Sequence, residues 1–463
     1  MFLRAKLLRW ALFVLTVGFF VTQPVGVCWP QELPELEPFS REDRVLILAP
    51  HPDDEDIGCG GVIQRALSSG AKVKVAYLTC GDNNIFSIVF YNKFLFPLRL
   101  LFLKNKDFID LGHQRVHEAI AAMKILGMKE SDLIFLGYPD HGTDQMFIAN
   151  WNHEKPYRSS FSGHSNVPYE GSVGYKKVFT ADNVIEDVKS IILDYKPTKI
   201  FVSSSSDVNG DHWAYYLYMM VSLVDLDKKV PAPKIYPYLV HAYDWPRPSN
   251  YHPDLELEPP EKFFGDSLSL VGWRQLKLTK EEIEKKYKAM QAYDTQMRVS
   301  DFYLVSFVRQ NELFGDFPHI ALKKLHSSEL AAKPAGEIFT SDMQWIGYAV
   351  VDDCLLLKIK KPKELKNRLM LWLGFFGYRK DTPFTQMPNV IVETKYNRLK
   401  IYDSIPANYI DPKGTSLEFY PESVILKIPL SLLGNPEGLL FAFEPTNKYL
   451  PVGCTAFRVI TIE

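Results

Sequence analysis

The feature that most constrains the fold is a regular alternation of two sequence patterns over the first two thirds of the chain. Short apolar runs typical of buried strands are separated by longer amphipathic runs typical of helices. The strand-like runs are RVLILAP, KVKVAYL, DLIFLGY, KIFVSS and KIYPYLV. Strands that alternate with helices favour parallel pairing, so we expect an α/β domain with a mostly parallel, Rossmann-like sheet and flanking helices.

The last third of the chain shows a different pattern. From about residue 338 onward, strand-like runs are separated by Pro, Gly and Asn. These runs are LLLKIKK, RLMLWLGFFGY, NVIVETKY, SVILKIPL and LLFAFEP. They predict a smaller all-β, sandwich-like domain. The expected organisation is a leader or anchor at 1–28, a linker at 29–42, the α/β domain at 43–330 and the β-rich accessory domain at 338–463.

The N-terminus has the layout of a secretory signal peptide. Arg4, Lys6 and Arg9 precede the apolar run WALFVLTVGFFV, which TQPVGVCWP then interrupts. A basic start, a short apolar middle and a break are typical of such signals. The apolar run is short for a membrane span, so a retained anchor is the second interpretation. We expect a protein that is exported, periplasmic or extracellular, or anchored through its N-terminus.

Polar clusters follow the strand-like runs, one cluster after each. They are HPDDE, CGDNN, YPDHG, SSDVNGDH and VHAYDW. In an open α/β sheet, ligands bind at the carboxyl ends of the strands. Five segments of the chain would therefore bring polar side chains to one edge of the sheet, which predicts a functional site there.

The HPDDE run carries the residue types of a metal site. His51 and Asp54 offer nitrogen and oxygen ligands that suit zinc. Asp53 lies between them in the chain and could act as a general base towards water. The same letters also fit an aspartate that caps a helix beside an unrelated histidine.

His212, in DVNGDHWA, is the natural third ligand because it also begins a helix directly after a strand. Two histidines and one carboxylate leave one coordination position of zinc open, as in catalytic sites. Zinc lowers the pKa of water from about 15.7 towards about 7 and polarises a carbonyl, which together hydrolyse an amide or an ester. Another divalent metal is compatible with the same ligands.

These motifs resemble those of the LmbE-like, or PIG-L, N-acetylglucosaminyl deacetylases. That family has a strand followed by (A/P)HPDDE, and a later HxDH-type segment. Here PHPDDEDIGCGG matches the first motif, and TCGD, RVHEAIAAMKILG and LIFLGYPDHG follow in the family's order. The resemblance spans roughly residues 43 to 315. It implies zinc ligands at His51, Asp54 and His212, a general base at Asp53 and a substrate contact at Arg115.

The second motif departs from the family's pattern. Many relatives have HPDH where this chain has NGDH, so Asn209 replaces a histidine that stabilises the oxyanion or protonates the leaving amine. An asparagine amide can donate a hydrogen bond to an oxyanion, but it cannot deliver a proton at neutral pH. His241, at the next strand end, is our candidate for a compensating group, although a capping or core histidine fits equally well.

Two further features allow a functional and a structural interpretation. Asp82 could bind substrate hydroxyls or simply form a turn. The apolar and basic segment 86–108 could be a lid or a lipid-facing surface, which with residues 1–28 gives two candidate membrane contacts. Apolar runs are more often buried, so an ordinary packed insertion is the favoured interpretation of 86–108. The net charge of −2 provides no basic field for nucleic acid.

The sequence therefore predicts a zinc-dependent enzyme that removes the N-acetyl group from an N-acetylglucosamine-type amino sugar. The sugar comes from the family resemblance, since the residues alone support only metal-assisted hydrolysis. Two alternatives stay open. One is hydrolysis of a non-sugar amide, and the other is a carbohydrate-binding or surface protein built on a degenerate deacetylase scaffold.

Overall fold

A computed structural model provides the fold. It describes residues 32–90, 103–260, 271–330, 340–341, 346–360, 370–395, 398–446 and 457–463. The predicted leader or anchor at 1–28 and part of the apolar segment 86–108 lie outside these ranges. Among the described residues, no helix combines the length and the apolar character needed to cross a bilayer.

The first seven strands form one sheet in the order β3-β2-β1-β4-β5-β7-β6. Their bounds are β1 (Arg44–Ala49), β2 (Lys72–Thr79), β3 (Leu133–Tyr138), β4 (Lys199–Ser203), β5 (Lys234–Tyr238), β6 (Arg274–Lys277) and β7 (Asn311–Phe314). The five neighbouring strands β3, β2, β1, β4 and β5 pair in parallel. Strand β7 is antiparallel to both β5 and β6. The predicted mostly parallel α/β sheet is confirmed.

Helices connect these strands and follow them. They are α1 (Asp54–Ser68), α2 (Ile85–Phe90), α3 (Asn105–Leu126), α4 (Thr143–Ala149), α5 (Ala181–Tyr195), α6 (Gly210–Asp225), α7 (Lys280–Met290), α8 (Asp294–Leu304) and the short α9 (Ser327–Leu330). Single 3₁₀ turns occur at Glu130–Asp132, Val305–Phe307, Phe384–Gln386 and Leu430–Leu433.

Strand β1 pairs with β2 on one side and β4 on the other, and its last five residues are buried. Burial on both faces explains why RVLILA is continuously apolar instead of alternating.

The remaining strands form two mostly antiparallel sheets, each with one parallel pair. One has the order β10-β11-β12-β18-β17, with β9 beside β11, and the other has the order β16-β15-β14-β13-β19-β20-β8. The first sheet contains β9 (Lys324–Leu325), β10 (Thr340–Ser341), β11 (Ile346–Val351), β12 (Cys354–Lys360), β17 (Ser416–Phe419) and β18 (Ser423–Pro429). The second contains β8 (Ile320–Leu322), β13 (Met370–Tyr378), β14 (Asn389–Lys395), β15 (Arg398–Asp403), β16 (Asn408–Tyr409), β19 (Gly438–Thr446) and β20 (Arg458–Ile462). The predicted strand-rich C-terminal region is confirmed.

Strand β13, in the middle of the second sheet, is largely buried on both faces. Phe375 belongs to the apolar core that the two C-terminal sheets share, together with Tyr348 and Phe441. Its neighbour Phe376 belongs instead to the core of the α/β domain, where its ring lies 5.2 Å from that of Phe147. Successive side chains of a strand point to opposite faces, so the apolar run LWLGFFG serves two cores at once.

The sequence boundary between the two domains stays a prediction. Strand β8 precedes residue 330, yet it pairs with β20 in the C-terminal sheet. Residues 34–463 form one compact unit, in keeping with the apolar core that the α/β helices share with the β-rich region.

Candidate metal centre

The loop from β1 into α1 is shaped by hydrogen bonds around Asp54. His51 donates its backbone N–H to Asp54 Oδ2 over 2.9 Å, which closes the turn that starts the helix. Asp53, between them, has a φ of 132°, in a region that residues other than glycine rarely occupy. Asn and Asp tolerate positive φ better than most side chains. The backbone of this loop therefore favours an aspartate or an asparagine at position 53.

The second segment of the site starts at α6. Asn209 caps this helix, because its side-chain oxygen accepts a hydrogen bond from the backbone N–H of Asp211 over 3.0 Å. His212 follows in the first turn and is fully buried. Since β4 pairs directly with β1, the segment after β4 lies beside the segment after β1. Sheet topology thus brings His212 to His51 and Asp54.

Three potential ligand atoms converge at this point. His51 Nδ1 lies 3.1 Å from Asp54 Oδ2. His212 Nε2 lies 3.2 Å from Asp54 Oδ2 and 3.3 Å from His51 Nδ1. A tetrahedral zinc ion with bonds of about 2.0–2.1 Å holds its ligand atoms about 3.3 Å apart. The spacing and the chemical types of the three atoms therefore fit a small divalent cation.

Asp211 orients His51 from the other side of the ring. Its Oδ2 lies 3.2 Å from His51 Nε2 and accepts the backbone N–H of His141 over 2.6 Å. Its Oδ1 accepts the backbone N–H of Thr143 over 3.0 Å and the hydroxyl of the same residue over 2.5 Å. A proton held on Nε2 by Asp211 leaves the Nδ1 lone pair of His51 facing the convergence point.

Asp207 has the matching role for His212. Its Oδ2 lies 3.1 Å from His212 Nδ1, the ring nitrogen that does not face Asp54. The same carboxylate accepts the backbone N–H groups of Val240 and His241 and the ring Nδ1 of His241. Asp207 therefore ties the loop after β4 to the loop after β5.

Buried negative charge dominates the electrostatics. Burial alone would lower the pKa of His51, but Asp140, Asp211 and Asp54 raise it well above its ordinary value. Burial likewise opposes protonation of His212, and Asp207 and Asp54 raise its pKa to about 9. Burial would raise the pKa of Asp54, yet the two histidines hold it well below its usual range. The carboxylates thus favour positive charge at this position, which a divalent cation supplies without protons.

Two other groups of donors lie nearby and are less suited to hold the metal. One consists of Asp207, His212 and His241, and the other of His51, Asp140 and Asp211. Each uses the ring nitrogen opposite the one that faces Asp54 Oδ2. A neutral imidazole has one lone pair, so carboxylates at its second nitrogen serve as hydrogen-bond acceptors.

Asp53 is held by Arg115. Arg115 Nη2 donates to Asp53 Oδ2 over 3.1 Å and to the carbonyl of Pro52 over 2.6 Å, while Nη1 donates to the carbonyl of Gly81. Burial raises the pKa of Asp53 to about 7, with Arg115 opposing the shift and Asp54 adding to it. Arg115 is only 4% exposed and its observed contacts position Asp53, whereas its contact with substrate stays a prediction.

The other predicted residues surround this centre. Asp82 is buried, and its oxygens accept from the backbone N–H of Asp140 and the hydroxyl of Tyr169. These bonds hold the Asp82 carboxylate in place, and its proposed contact with substrate hydroxyls stays a prediction. His241 packs edge-on against His212, with ring centroids 4.6 Å apart, and its side chain is 29% exposed. The side-chain amide nitrogen of Asn209 makes no hydrogen bond to the described part of the chain.

Sequence reasoning missed Asp140, Asp207 and Asp211. All three lie in polar runs that the sequence does place after strands, namely YPDHG and SSDVNGDH. Their contacts with the imidazole rings depend on side-chain directions within those loops. The available signal was the number of aspartates in these runs, because ligating histidines usually pair with a carboxylate.

A family model covers this part of the chain. Residues 46–222 match the model described as PIG-L: GlcNAc-PI de-N-acetylase, so this chain carries a PIG-L (LmbE-like) domain. The match contains all three converging ligand residues as well as Asp53, Arg115 and Asn209, and it ends before His241. The family resemblance expected from the motifs is confirmed over these residues.

Curated relatives of this chain include deacetylases. A 1D-myo-inositol 2-acetamido-2-deoxy-alpha-D-glucopyranoside deacetylase of Corynebacterium glutamicum is 28% identical over 155 residues, or 33% of this chain and 43% of the relative. An enzyme of the same name from Kribbella flavida is 26% identical over 305 residues, or 59% of this chain and 89% of the relative. The chain spans less than half the length of the first curated relatives that it matches.

Solved structures give a more distant likeness. The N,N'-diacetylchitobiose deacetylase from Pyrococcus horikoshii is 17% identical, with a TM-score of 0.33. The superposed part covers 55% of this chain and 70% of that one. Nothing about activity follows from a likeness at this level.

Proposed function

We propose that this protein is a zinc-dependent N-deacetylase that hydrolyses the acetamido group of an N-acetylated amino sugar. The observation that carries the proposal is the convergence of His51 Nδ1, Asp54 Oδ2 and His212 Nε2 within 3.1–3.3 Å of one another. Beside these three atoms lies the buried carboxylate of Asp53, which Arg115 holds by a hydrogen bond. A binding protein has no need of a metal-binding set of atoms next to such a carboxylate.

Each group in the centre has a proposed task. Zinc, when bound by the three converging side chains, supplies a Lewis acid for the amide carbonyl and makes water more acidic. Asp53 accepts the proton of the attacking water at its carboxylate, and Arg115 keeps that carboxylate in place. Cleavage of the C–N bond then yields acetate and a free amine, with the amine receiving a proton.

The proton for the leaving amine needs a donor, because Asn209 has no acidic group. We assign this role to His241, which lies beside His212 and is partly open to solvent. Asp207 accepts from Nδ1–H of His241, so the proton for the amine would come from Nε2 of the doubly protonated ring, which returns to its neutral form. The side-chain amide of Asn209 is assigned to hydrogen-bond the oxyanion that develops from the carbonyl.

An amino sugar is the proposed substrate class because of the relatives. The curated enzymes of Corynebacterium and Kribbella are named for a 2-acetamido-2-deoxy-glucopyranoside. The family match includes every residue assigned to the metal and to proton abstraction. The basic and apolar N-terminal pattern adds export, or anchoring through the N-terminus, to the proposal.

Acetate release from a panel of N-acetylglucosamine compounds tests the proposal. The purified protein, supplied with zinc, is compared with Asp53→Asn. Asparagine is the better replacement than alanine because it tolerates the positive φ of residue 53. We expect wild type to release acetate, and the variant to bind one zinc per chain but lose about 10²–10⁴-fold in rate.

The other outcomes separate the alternatives. Bound zinc without acetate release from any sugar would favour a non-sugar amide substrate or a binding role. A wild-type chain that binds no divalent metal would overturn the proposed centre itself. Equal acetate release by wild type and Asp53→Asn would remove Asp53 from the mechanism.

A further inference from the structure

Aromatic residues of the β-rich region contact the helix that leads into the metal centre. Phe376 on β13 and Phe384 in the following loop are fully buried. Their rings lie 5.2 Å and 6.3 Å from that of Phe147, which is on α4. Phe384 also packs at 5.7 Å against Trp151, just beyond the same helix. The α/β core therefore extends across α4 into the C-terminal sheet.

The start of α4 touches the centre directly. Thr143, its first residue, gives both its backbone N–H and its hydroxyl to Asp211 Oδ1. Asp211 in turn lies 3.2 Å from His51 Nε2. Tyr218 on α6 donates to the carbonyl of Thr143, and its ring packs edge-on against Phe147. A shift of α4 would therefore move the carboxylate that orients His51.

A second contact reaches the other histidine. Phe457, just before β20, packs at 5.2 Å against Trp213, the residue after His212. Its carbonyl accepts the hydroxyl of Ser205, two residues before Asp207. The loop that carries both Asp207 and His212 is thus held at its start and at its end by one residue of the β-rich region.

We infer that the β-rich region is part of the metal-binding scaffold, with Phe376, Phe384 and Phe457 as positioning residues for His51 and His212. This inference rests on the metal centre of the proposed function. Metal affinity depends on the groups that hold the ligands in place, and loss of such a group typically weakens binding about 10–100-fold. Buried aromatic contacts fix α4 and the loop after β4 because protein interiors are close-packed.

Two neighbouring phenylalanines provide a matched test. Phe375 and Phe376 are both 0% exposed and adjacent on β13, but they face different cores. Phe375→Leu perturbs the core between the two C-terminal sheets, whereas Phe376→Leu perturbs the contact with α4. Each variant of the full chain is stripped of metal and titrated with zinc against a chromophoric chelator, and the Co²⁺ absorption spectrum is recorded.

We expect Phe376→Leu to raise the zinc Kd about tenfold and to alter the Co²⁺ spectrum. Phe375→Leu should lower the melting temperature to a similar extent but keep the wild-type Kd and spectrum. Phe457→Leu, which acts through Trp213, should repeat the effect of Phe376→Leu and replaces it if that variant does not fold.

The outcomes distinguish the inference from the proposed function. If Phe376→Leu and Phe457→Leu bind zinc like wild type, the β-rich region has no role in the centre and the inference is wrong. If Phe375→Leu weakens zinc as much as Phe376→Leu, the effect is general destabilisation, which also overturns it. If wild type itself binds no metal, it is the proposed centre that fails.

Discussion

His51 Nε2 lies 3.2 Å from Asp211 Oδ2, although the two residues are 160 positions apart in the chain. The contact fixes which ring nitrogen of His51 carries a proton, and so which nitrogen is free for a cation. Asp211 is itself fixed by His141 and Thr143, which donate to its two oxygens. One carboxylate therefore connects three loops at the edge of the sheet and sets the chemistry of a ligand.

Replacing Asp211 should weaken metal binding. In Asp211→Asn, the amide NH₂ takes the place of one of the two carboxylate oxygens. It then faces either the N–H of Thr143 or the N–H groups of His141 and His51, so that donor meets donor. We expect the zinc Kd of the apoprotein to rise about 10–100-fold, as measured by competition with a chelator. Asp182→Asn removes the same charge at the start of α5, and its zinc affinity should equal that of wild type.

The proximity of the three candidate ligands was predictable from the sequence. His51, Asp54 and His212 each follow a strand-like run, and the alternation of strands and helices indicates parallel pairing. Parallel strands place their carboxyl ends at one edge, so these residues had to lie near one another once β1 and β4 were neighbours. The motif supplied the residue types, and the topology supplied the proximity.

The groups that support the ligands were not predictable in the same way. Asp207 and Asp211 belong to the same polar run, yet one contacts His212 and the other His51. That difference depends on side-chain directions at the start of α6. The apolar run around Phe376 shows only that both faces of β13 are buried. It does not show which face packs against α4, because that depends on the tertiary structure.

Asn209 has two separable roles, as a helix cap and as a candidate hydrogen-bond donor to the oxyanion. Asn209→Ser keeps a good N-cap oxygen but removes the carboxamide donor. We expect the melting temperature to change little and kcat to fall about 10²–10³-fold. Asn209→Ala removes both roles and should also lose about 1 kcal/mol of stability. If the serine variant keeps full kcat, no carboxamide donor is needed at position 209.

His241 should affect the departure of the amine. In His241→Gln, kcat for an N-acetyl sugar should fall about 10²–10⁴-fold, because the amine then lacks its proton donor. An acetylated nitroanilide leaves without needing a strong acid, so its kcat should fall much less. Zinc content, measured beside the rates, should not change.

The comparison of the two substrates decides the role of His241. An equal loss of rate with both would show that the histidine does not donate the proton. It would instead act through Asp207, to which its ring is hydrogen-bonded. Loss of zinc from the variant would indicate the same indirect role.

Gly58 in the GCGG run is expected to be required for packing. A Cβ at this position would lie 2.3 Å from Cδ2 of Tyr238, whose hydroxyl is hydrogen-bonded to the carbonyl of Leu48. Gly58→Ala gains about 1 kcal/mol of helix propensity. Overpacking a dense core costs about 1–3 kcal/mol, so the variant should be less stable in thermal unfolding. An unchanged or higher melting temperature would mean that the tyrosine ring moves freely.

We expect Asp43, directly before β1, to make a pH-dependent contribution to the free energy of unfolding. Burial would raise its pKa, but hydrogen bonds from Lys199, Ser40 and Thr198 lower it below its ordinary value. A lowered pKa in the folded state stabilises the protein above the unfolded pKa of about 3.9, and this contribution is lost as the pH falls through the folded value.

Asp43→Asn should therefore be less stable than wild type at pH 7, by about 2 kcal/mol, because Lys199 loses a charged partner. The difference should persist at pH 5 and shrink at pH 3, because below the unfolded pKa of about 3.9 the unfolded chain binds a proton that the folded state resists. Melting temperatures at the three pH values measure it, with the exposed neighbour Glu42→Gln as control. A difference that stays constant from pH 7 to pH 3 would show that Asp43 stabilises by packing and neutral hydrogen bonds, without its charge.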